Sequence, residues 1–425
     1  MEYLNCKNRV TKENYQIIWI ISSLFVFLAF IVNTPLEIAD GLLKILFGRA
    51  ILISDYMVIG NLGSALVNAS INAVVCVLLL KITKTRPTGA IIAGVLMNIG
   101  FGLFGKNIVN SLPIFLGIYF YSKLEKLKFS EYIIVSLLGT TLGPIISEFV
   151  YFDSFATISS DVFGILLGII LGFVLVPISR QTYHVHKGYC TFNVGFAAGS
   201  LAMLFTFILK AFGVEIESQL HWYTQHQTVL ISLMILIGLI FIVYGYIISD
   251  KSLIHSKLKD ITKETGIMPS DFLIKYGSVC YINMGFLCIL GTLLLYLIGG
   301  DFNGPTIGGI LTITAFGSVS NNYRNCIPVL LGATLCSMLH IEAITSPTTT
   351  LAILFSVGVA PIAGNFGFFW GVAAGFIHIT LATNMGSLNS GLNLYNNGFA
   401  AGFVCLMIVP VIESFKNKKK KEEKI

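Results

Sequence analysis

Long apolar runs alternate with short polar gaps along nearly the whole chain, from Ile17 to Ile412. A bilayer core needs roughly 17–25 apolar residues per helical crossing. About fourteen segments approach that length: 15–33, 56–80, 88–105, 108–122, 132–151, 162–179, 189–209, 228–248, 273–298, 304–320, 326–340, 349–364, 368–384 and 397–413. Lipid offers no partner for backbone N–H and C=O groups, so such runs predict helices. The fold class read from this pattern is an all-α integral membrane protein. The first run, Ile17 to Val32, ends in Asn33-Thr34-Pro35 without a small-x-small cleavage pattern. More runs follow it, so it reads as a span and not a cleaved leader.

The pattern repeats. Residues 89–124 align without gaps on 304–339, with 13 of 36 positions identical. The identities include Gly94/Gly309, Gly102/Gly317, Asn107/Asn322, Asn110/Asn325, Pro113/Pro328 and Gly117/Gly332. A second block pairs 188–199 with 391–402, seven of twelve identical, and Pro144 pairs with Pro361. Shared apolar composition alone does not align so many Gly, Asn and Pro positions. The matched blocks start an odd number of spans apart, which predicts two copies of opposite orientation, an architecture of transporters. The Gly-rich pairs 88–105/108–122 and 304–320/326–340 read equally as two spans or as re-entrant hairpins. Either leaves the parity unchanged. The expected division is a tail, span and amphipathic loop over 1–55, repeat one over 56–212, a linking span and charged linker over 213–272, repeat two over 273–414, and a Lys-rich tail over 415–425.

Charge adds an orientation. Only 11% of residues are charged and 55% are hydrophobic, far from the roughly 25% charge of soluble domains. With the N-terminus inside, all but four (Lys44, Arg49, Lys106, Lys210) of the 27 Lys and Arg fall on the inner side. That is the positive-inside distribution. It accounts for the net charge of +6 without a nucleic-acid partner. It places both termini in the cytoplasm of a plasma-membrane protein. Outer segments lean acidic at Asp153, Asp161, Glu215, Glu217, Asp301 and Glu342. The run Lys418–Lys421 suits an anionic lipid surface and equally reads as a simple stop-transfer anchor. The eight cysteines include no CxxC pair and read as embedded hydrophobes.

Candidate chemistry is sparse. Phe192-Asn193 and Tyr395-Asn396 each open a Gly-Phe-Ala-Ala-Gly stretch. Gly195/Gly199 and Gly398/Gly402 have the spacing that lets helices approach closely. A buried amide needs a partner, so Asn193 and Asn396 are candidates to bind a polar solute or a neighbouring helix. Asn303 and Thr306 stand at a helix start. They serve as a cap there or, with free N–H groups, as a solute or anion site. His378, Glu148, Lys106 and Arg324 are the ionisable residues in or near apolar runs, hence candidates for coupling or gating. Arg180, His184, His186 and Lys187 form an inner cluster that an envelope-biogenesis enzyme or scaffold would use. The chain shows no nucleotide-binding loop, triad spacing or HExxH. No cofactor or metal is expected. The linker 249–271 is too short to be an ATPase.

The overall pattern resembles an uncharacterised bacterial multipass family, a domain of unknown function, over nearly the whole chain. More distantly it resembles bacterial urea transporters. Asn303-Gly304-Pro305-Thr306-Ile307-Gly308-Gly309 and Gly391-Leu392-Asn393-Leu394-Tyr395-Asn396-Asn397-Gly398 are similar in kind and order to that family's paired stretches. Pro87-Thr88-Gly89 and Phe192-Asn193-Val194-Gly195 stand in the same places of repeat one. The adjacent Asn-Pro pair and the slot-lining signature are absent. What the resemblance implies is a facilitator for a small amide-like solute, with a site between the repeats. Ion-coupled or anion transport is the alternative, the latter through Lys106 and Arg324. The expected partners are a small solute, the bilayer and, as for many such proteins, further copies of the chain.

Overall fold

A computed structural model describes residues 15–150, 160–217, 219–339 and 341–422. Lys7, Arg9, Lys12, Asp153 and the side chains of Lys418–Lys421 lie outside the described set. The described chain is helical and falls into two series of ten helices.

The first series is α1 (Gln16–Val32), α2 (Pro35–Leu46), α3 (Tyr56–Ile59), α4 (Leu62–Ile82), α5 (Gly89–Phe101), α6 (Ile108–Leu124), α7 (Ile133–Gly139), α8 (Gly143–Val150), α9 (Ser160–His186) and α10 (Asn193–Ala211). The second is α11 (Gln227–Ile248), α12 (Lys251–Ile261), α13 (Phe272–Tyr276), α14 (Val279–Leu297), α15 (Gly304–Phe316), α16 (Tyr323–Leu339), α17 (Pro347–Phe355), α18 (Ala360–Phe366), α19 (Phe368–Leu388) and α20 (Asn396–Glu422). Each member of one series has its counterpart ten helices later. The recurring order therefore takes in a leading span, a surface helix and a short turn ahead of each matched sequence block.

Nine helices are long and apolar enough to cross a membrane among the described residues. Two of these are jointed: 129–150 joins α7 to α8 through a 3-10 turn at Thr140–Leu142, and 347–366 joins α17 to α18 through one at Ser356–Val359. α1 runs along α4 from Tyr15–Thr85 at one end to Asn33–Gly63 at the other. It then turns 115° into α2. Thr34 caps α2 with a reciprocal bond to Glu37, and Pro35 suits its first turn. Of the fourteen segments expected, the four Gly-rich ones yield α5 and α15 at 13 residues and α6 and α16 at 17. Thirteen residues rise only about 20 Å, short of the ~30 Å core. Thr83, Lys123 and Lys126 line one cavity, so the hairpin α5–α6 begins and ends on one face. Gly299, beside Thr345, does the same for α15–α16 on the other.

Hydrogen bonds sort the loops into two faces. Tyr183 to Met268, Asn365 to Tyr189 and Lys187 to Glu413 join loops of one face. Leu52 to Gly391, Ile53 to Gln219 and Trp222 to Asp301 join those of the other.

Candidate functional site

α5 and α15 pack against each other at the centre, antiparallel. Gly100 lies on Gly308, and each helix start meets the other's end. A Cβ on Gly89 would stand 2.0 Å from Ser318 O, and one on Gly304 2.4 Å from Leu103 O. Only glycine permits so close a backbone approach.

Each helix start is closed by an aspartate from the other series. Asp55 accepts the N–H groups of Gly304 (3.3 Å), Tyr223 (3.2 Å) and Met57 (2.9 Å). Asp271 accepts those of Gly89 (2.9 Å), Ala90 (3.2 Å) and Ile274 (2.9 Å). A carboxylate at a helix N-terminus satisfies orphan donors and opposes the helix dipole. Asp55 is fully buried. Burial pushes its pKa up to about 7, against the pull of its three N–H donors.

A second exchange occurs at the joints. Thr191 N–H donates to Gly358 O at 3.0 Å, and Leu394 N–H donates to Thr141 O at 3.0 Å. The loops before α10 and α20 thus reach the 3-10 turns inside the opposite series' jointed spans. There Phe192 and Tyr395 meet, ring centroids 4.7 Å apart. Phe101 and Phe355 flank Tyr395, and Phe316 flanks Phe192. The predicted glycines pack here: Gly195 on Tyr395, Gly398 on Phe192 and Gly195, Gly199 on Phe399 and Gly402 on Phe196.

The two asparagines read as a pair are not equivalent. Asn193 donates to Ser179 O (2.9 Å) and meets Thr182 Oγ1 and His186 Nε2 through its oxygen (both 2.9 Å). Its capacity goes to tying α10 to α9. Asn396 takes one bond, from Asn389 Nδ2, while its own Nδ2 is buried without a partner. Asn389 Oδ1, Asn393 Nδ2 and Tyr395 OH nearby are likewise unpaired. A cavity of about 480 Å³ reaches Asn396 and Asn397 from the face carrying loops 51–54 and 214–222. Gln219, Thr348, Ser387 and Ser390 line it with apolar neighbours, and among the described residues no charged side chain does. Behind it, His378 Nε2 lies 3.3 Å from Asn397 Oδ1, and its Nδ1 is unpaired.

The remaining expected residues fall elsewhere. Asn303 and Thr306 form a reciprocal cap on α15, which Asp55 then closes, so this helix start offers no open anion site. Glu148 is buried and receives Arg49 Nε at 3.0 Å. Sequence reading missed Arg49, Asp55 and Asp271; the aspartates sit immediately before a short helix that ends at a glycine in both series, a signal visible only once the copies are aligned that far. Lys106 is buried in the α5–α6 turn, whereas Arg324 is exposed beside Lys263 and Glu264. They are not neighbours on one path. The inner cluster is also dispersed: Arg180 binds Glu125 and Tyr132, Lys187 binds Glu413, and His186 binds Asn193.

Residues 34–211 and 250–414 match one family, described as a protein of unknown function (DUF1576). No curated protein and no solved structure matches the chain.

Proposed function

The chain belongs to the DUF1576 family, and from that premise we propose that it is a membrane transporter or facilitator for a small, uncharged polar solute. The observation that carries this reading is the reciprocal exchange at the centre. Short helices and jointed spans of each series are completed by backbone and carboxylate groups of the other. That is how two units of opposite orientation meet about an axis in the membrane plane, the arrangement in which transporters hold their substrate. Irregular backbone at membrane depth is tolerated where protein or a water-filled cavity covers it. Both joints satisfy the first condition, and the cavity at Asn396 approaches them from one side.

Its lining favours the solute class. Asn396 lines the cavity with an unpaired amide donor, the unpaired Asn389 Oδ1 and Asn393 Nδ2 lie buried behind that residue, and no charged side chain among the described residues lines it. An amide such as urea, formamide or acetamide matches that set. Asn193, whose oxygen takes two bonds and whose Nδ2 donates to Ser179 O, positions α10 and does not face the solute. The positive-inside distribution supports cytoplasmic termini.

The test is solute entry into liposomes holding purified protein, followed by stopped-flow light scattering. Saturable entry of an amide above protein-free liposomes is expected. Asn396→Leu should remove it while the protein still elutes as a folded species. Entry no faster than through bare lipid, or unchanged in Asn396→Leu, overturns the assignment.

A further inference from the structure

The α5–α6 turn holds a lysine at membrane depth. Lys106 is fully buried, and among the described residues it has no carboxylate within ion-pair distance. Its ammonium donates instead to Asn98 Oδ1, Thr140 Oγ1 and, at 3.4 Å, Leu137 O. An uncompensated charge in such a place is costly, so the nature of its surroundings decides what the site is for.

Each of the three oxygens is constrained to accept. Asn98 spends its amide hydrogens on Gly94 O (2.7 Å) and Leu137 O (2.8 Å), which turns Oδ1 toward the lysine. Thr140 spends its hydroxyl hydrogen on Leu137 O at 2.8 Å, leaving lone pairs for Nζ. Leu137 O is a carbonyl and can only accept. An ammonium has three donors and no acceptor, whereas a neutral amine would bring a lone pair into a ring of lone pairs. Asn98 Oδ1 and Thr140 Oγ1 take two of the three donors, and Leu137 O, which already receives Asn98 and Thr140, is the longer third contact at 3.4 Å.

We propose that Asn98, Leu137 and Thr140 form a monovalent-cation site of the ammonium class, and that Lys106 fills it as a tethered occupant. The site joins α5 to the joint of the 129–150 span, one residue from the Thr141 carbonyl that receives Leu394. The second series lacks it as a set. Asn321 stands in place of Lys106, Ile313 in place of Asn98 and Val357 in place of Thr140.

The test needs no solute, so it stands or falls apart from the transport reading. Thermal unfolding of the detergent-purified chain is followed in n-propylammonium chloride and in choline chloride at equal ionic strength. Lys106→Ala removes the four atoms that n-propylammonium replaces. Its Tm should fall in choline chloride and recover by at least half, saturably, in n-propylammonium. Wild type should respond to neither. An equal response to both salts, or a wild-type response matching the variant's, overturns the proposal. A second exchange decides the matter if Lys106→Ala does not fold. Lys106→Asn alone should lower Tm, and Lys106→Asn with Asn98→Ile and Thr140→Val should restore it toward wild type. A triple variant no more stable than Lys106→Asn also overturns the proposal.

Discussion

The turn after α5 and the turn after α15 share one backbone design and differ in one corner of chemistry. Asn68 Nδ2 donates to Gly102 O (2.7 Å) and Lys106 O (2.8 Å). Asn283 Nδ2, 215 positions on, donates to Gly317 O and Asn321 O, both at 2.8 Å. Asn110 and Asn325 close the two turns onto Gly105 O and Ser320 O at 3.1 and 3.0 Å. At the tip, one turn places a lysine among oxygens. The other places Asn321, whose Nδ2 reaches Val357 O at 3.3 Å. The carbonyl ladder is common to both because any buried hairpin must satisfy its backbone. The tip residue is free to vary only together with the side chains that receive it.

Breaking the shared frame should cost most. Gly89→Ala and Gly304→Ala each push a methyl into a backbone oxygen that cannot swing away. Each should cost about 3 kcal/mol, the upper end of the overpacking range, and little monodisperse protein should elute on size exclusion. A substantial difference between the two variants would mean that the exchange is not reciprocal in energy.

The aspartates sharpen the comparison. Asp55 is buried, while Asp271 is partly exposed. Asp55→Ala strands three N–H groups away from water and should cost roughly 2–3 kcal/mol. Asp271→Ala should cost about half as much, since water can reach its donors. Chemical unfolding in detergent measures both. Equal losses would show that burial is not what separates them.

Asp55 also sets a pH dependence. Its folded-state pKa of about 7 lies above the unfolded value of ~3.9. The folded chain therefore holds the extra proton between those values. This group's contribution to stability is largest at acid pH and falls as pH rises from about 4 to about 7, then levels off. Asp55→Asn should flatten that part of the Tm profile. A slope surviving the substitution would assign it to another group.

The smallest effect, and the most symmetric, is expected at the ladder. Asn68→Leu and Asn283→Leu each leave two carbonyls unpaired. Each should lower stability by roughly 1–2 kcal/mol, equal within error by the same unfolding assay.

Much of this frame was legible beforehand. Asn107/Asn322 and Asn110/Asn325 stood out as aligned polar residues in apolar runs, and they prove to be the paired caps of α6 and the matching turn of α16. Gly195 and Gly398 were read as packing positions; the Tyr395 ring lies against Gly195, and the Gly195 backbone lies against Gly398. Other readings failed because a side chain's partner comes from distant sequence. Asn193 and Asn396 share a motif, yet Asn193 finds Thr182 on α9, where the offset of 203 puts Met385. The choice between span and hairpin at 88–105 and 304–320 stayed open, because hydropathy registers apolar residues and not that these helices end at Gly102 and Gly317.

The sequence by itself determined a helical membrane chain, its polar gaps and the recurrence of its blocks. These follow from composition and period, which lipid and backbone geometry read locally. The tertiary structure alone decided which carboxylate closes which helix, which amide is left unpaired beside a cavity, and that Lys106 lies among acceptors while Arg324 lies at a surface. The carboxylate closures join residues more than a hundred positions apart through the antiparallel pairing of α5 with α15, and the acceptors of Lys106 come from a separate helix and joint, so no local pattern encodes either meeting.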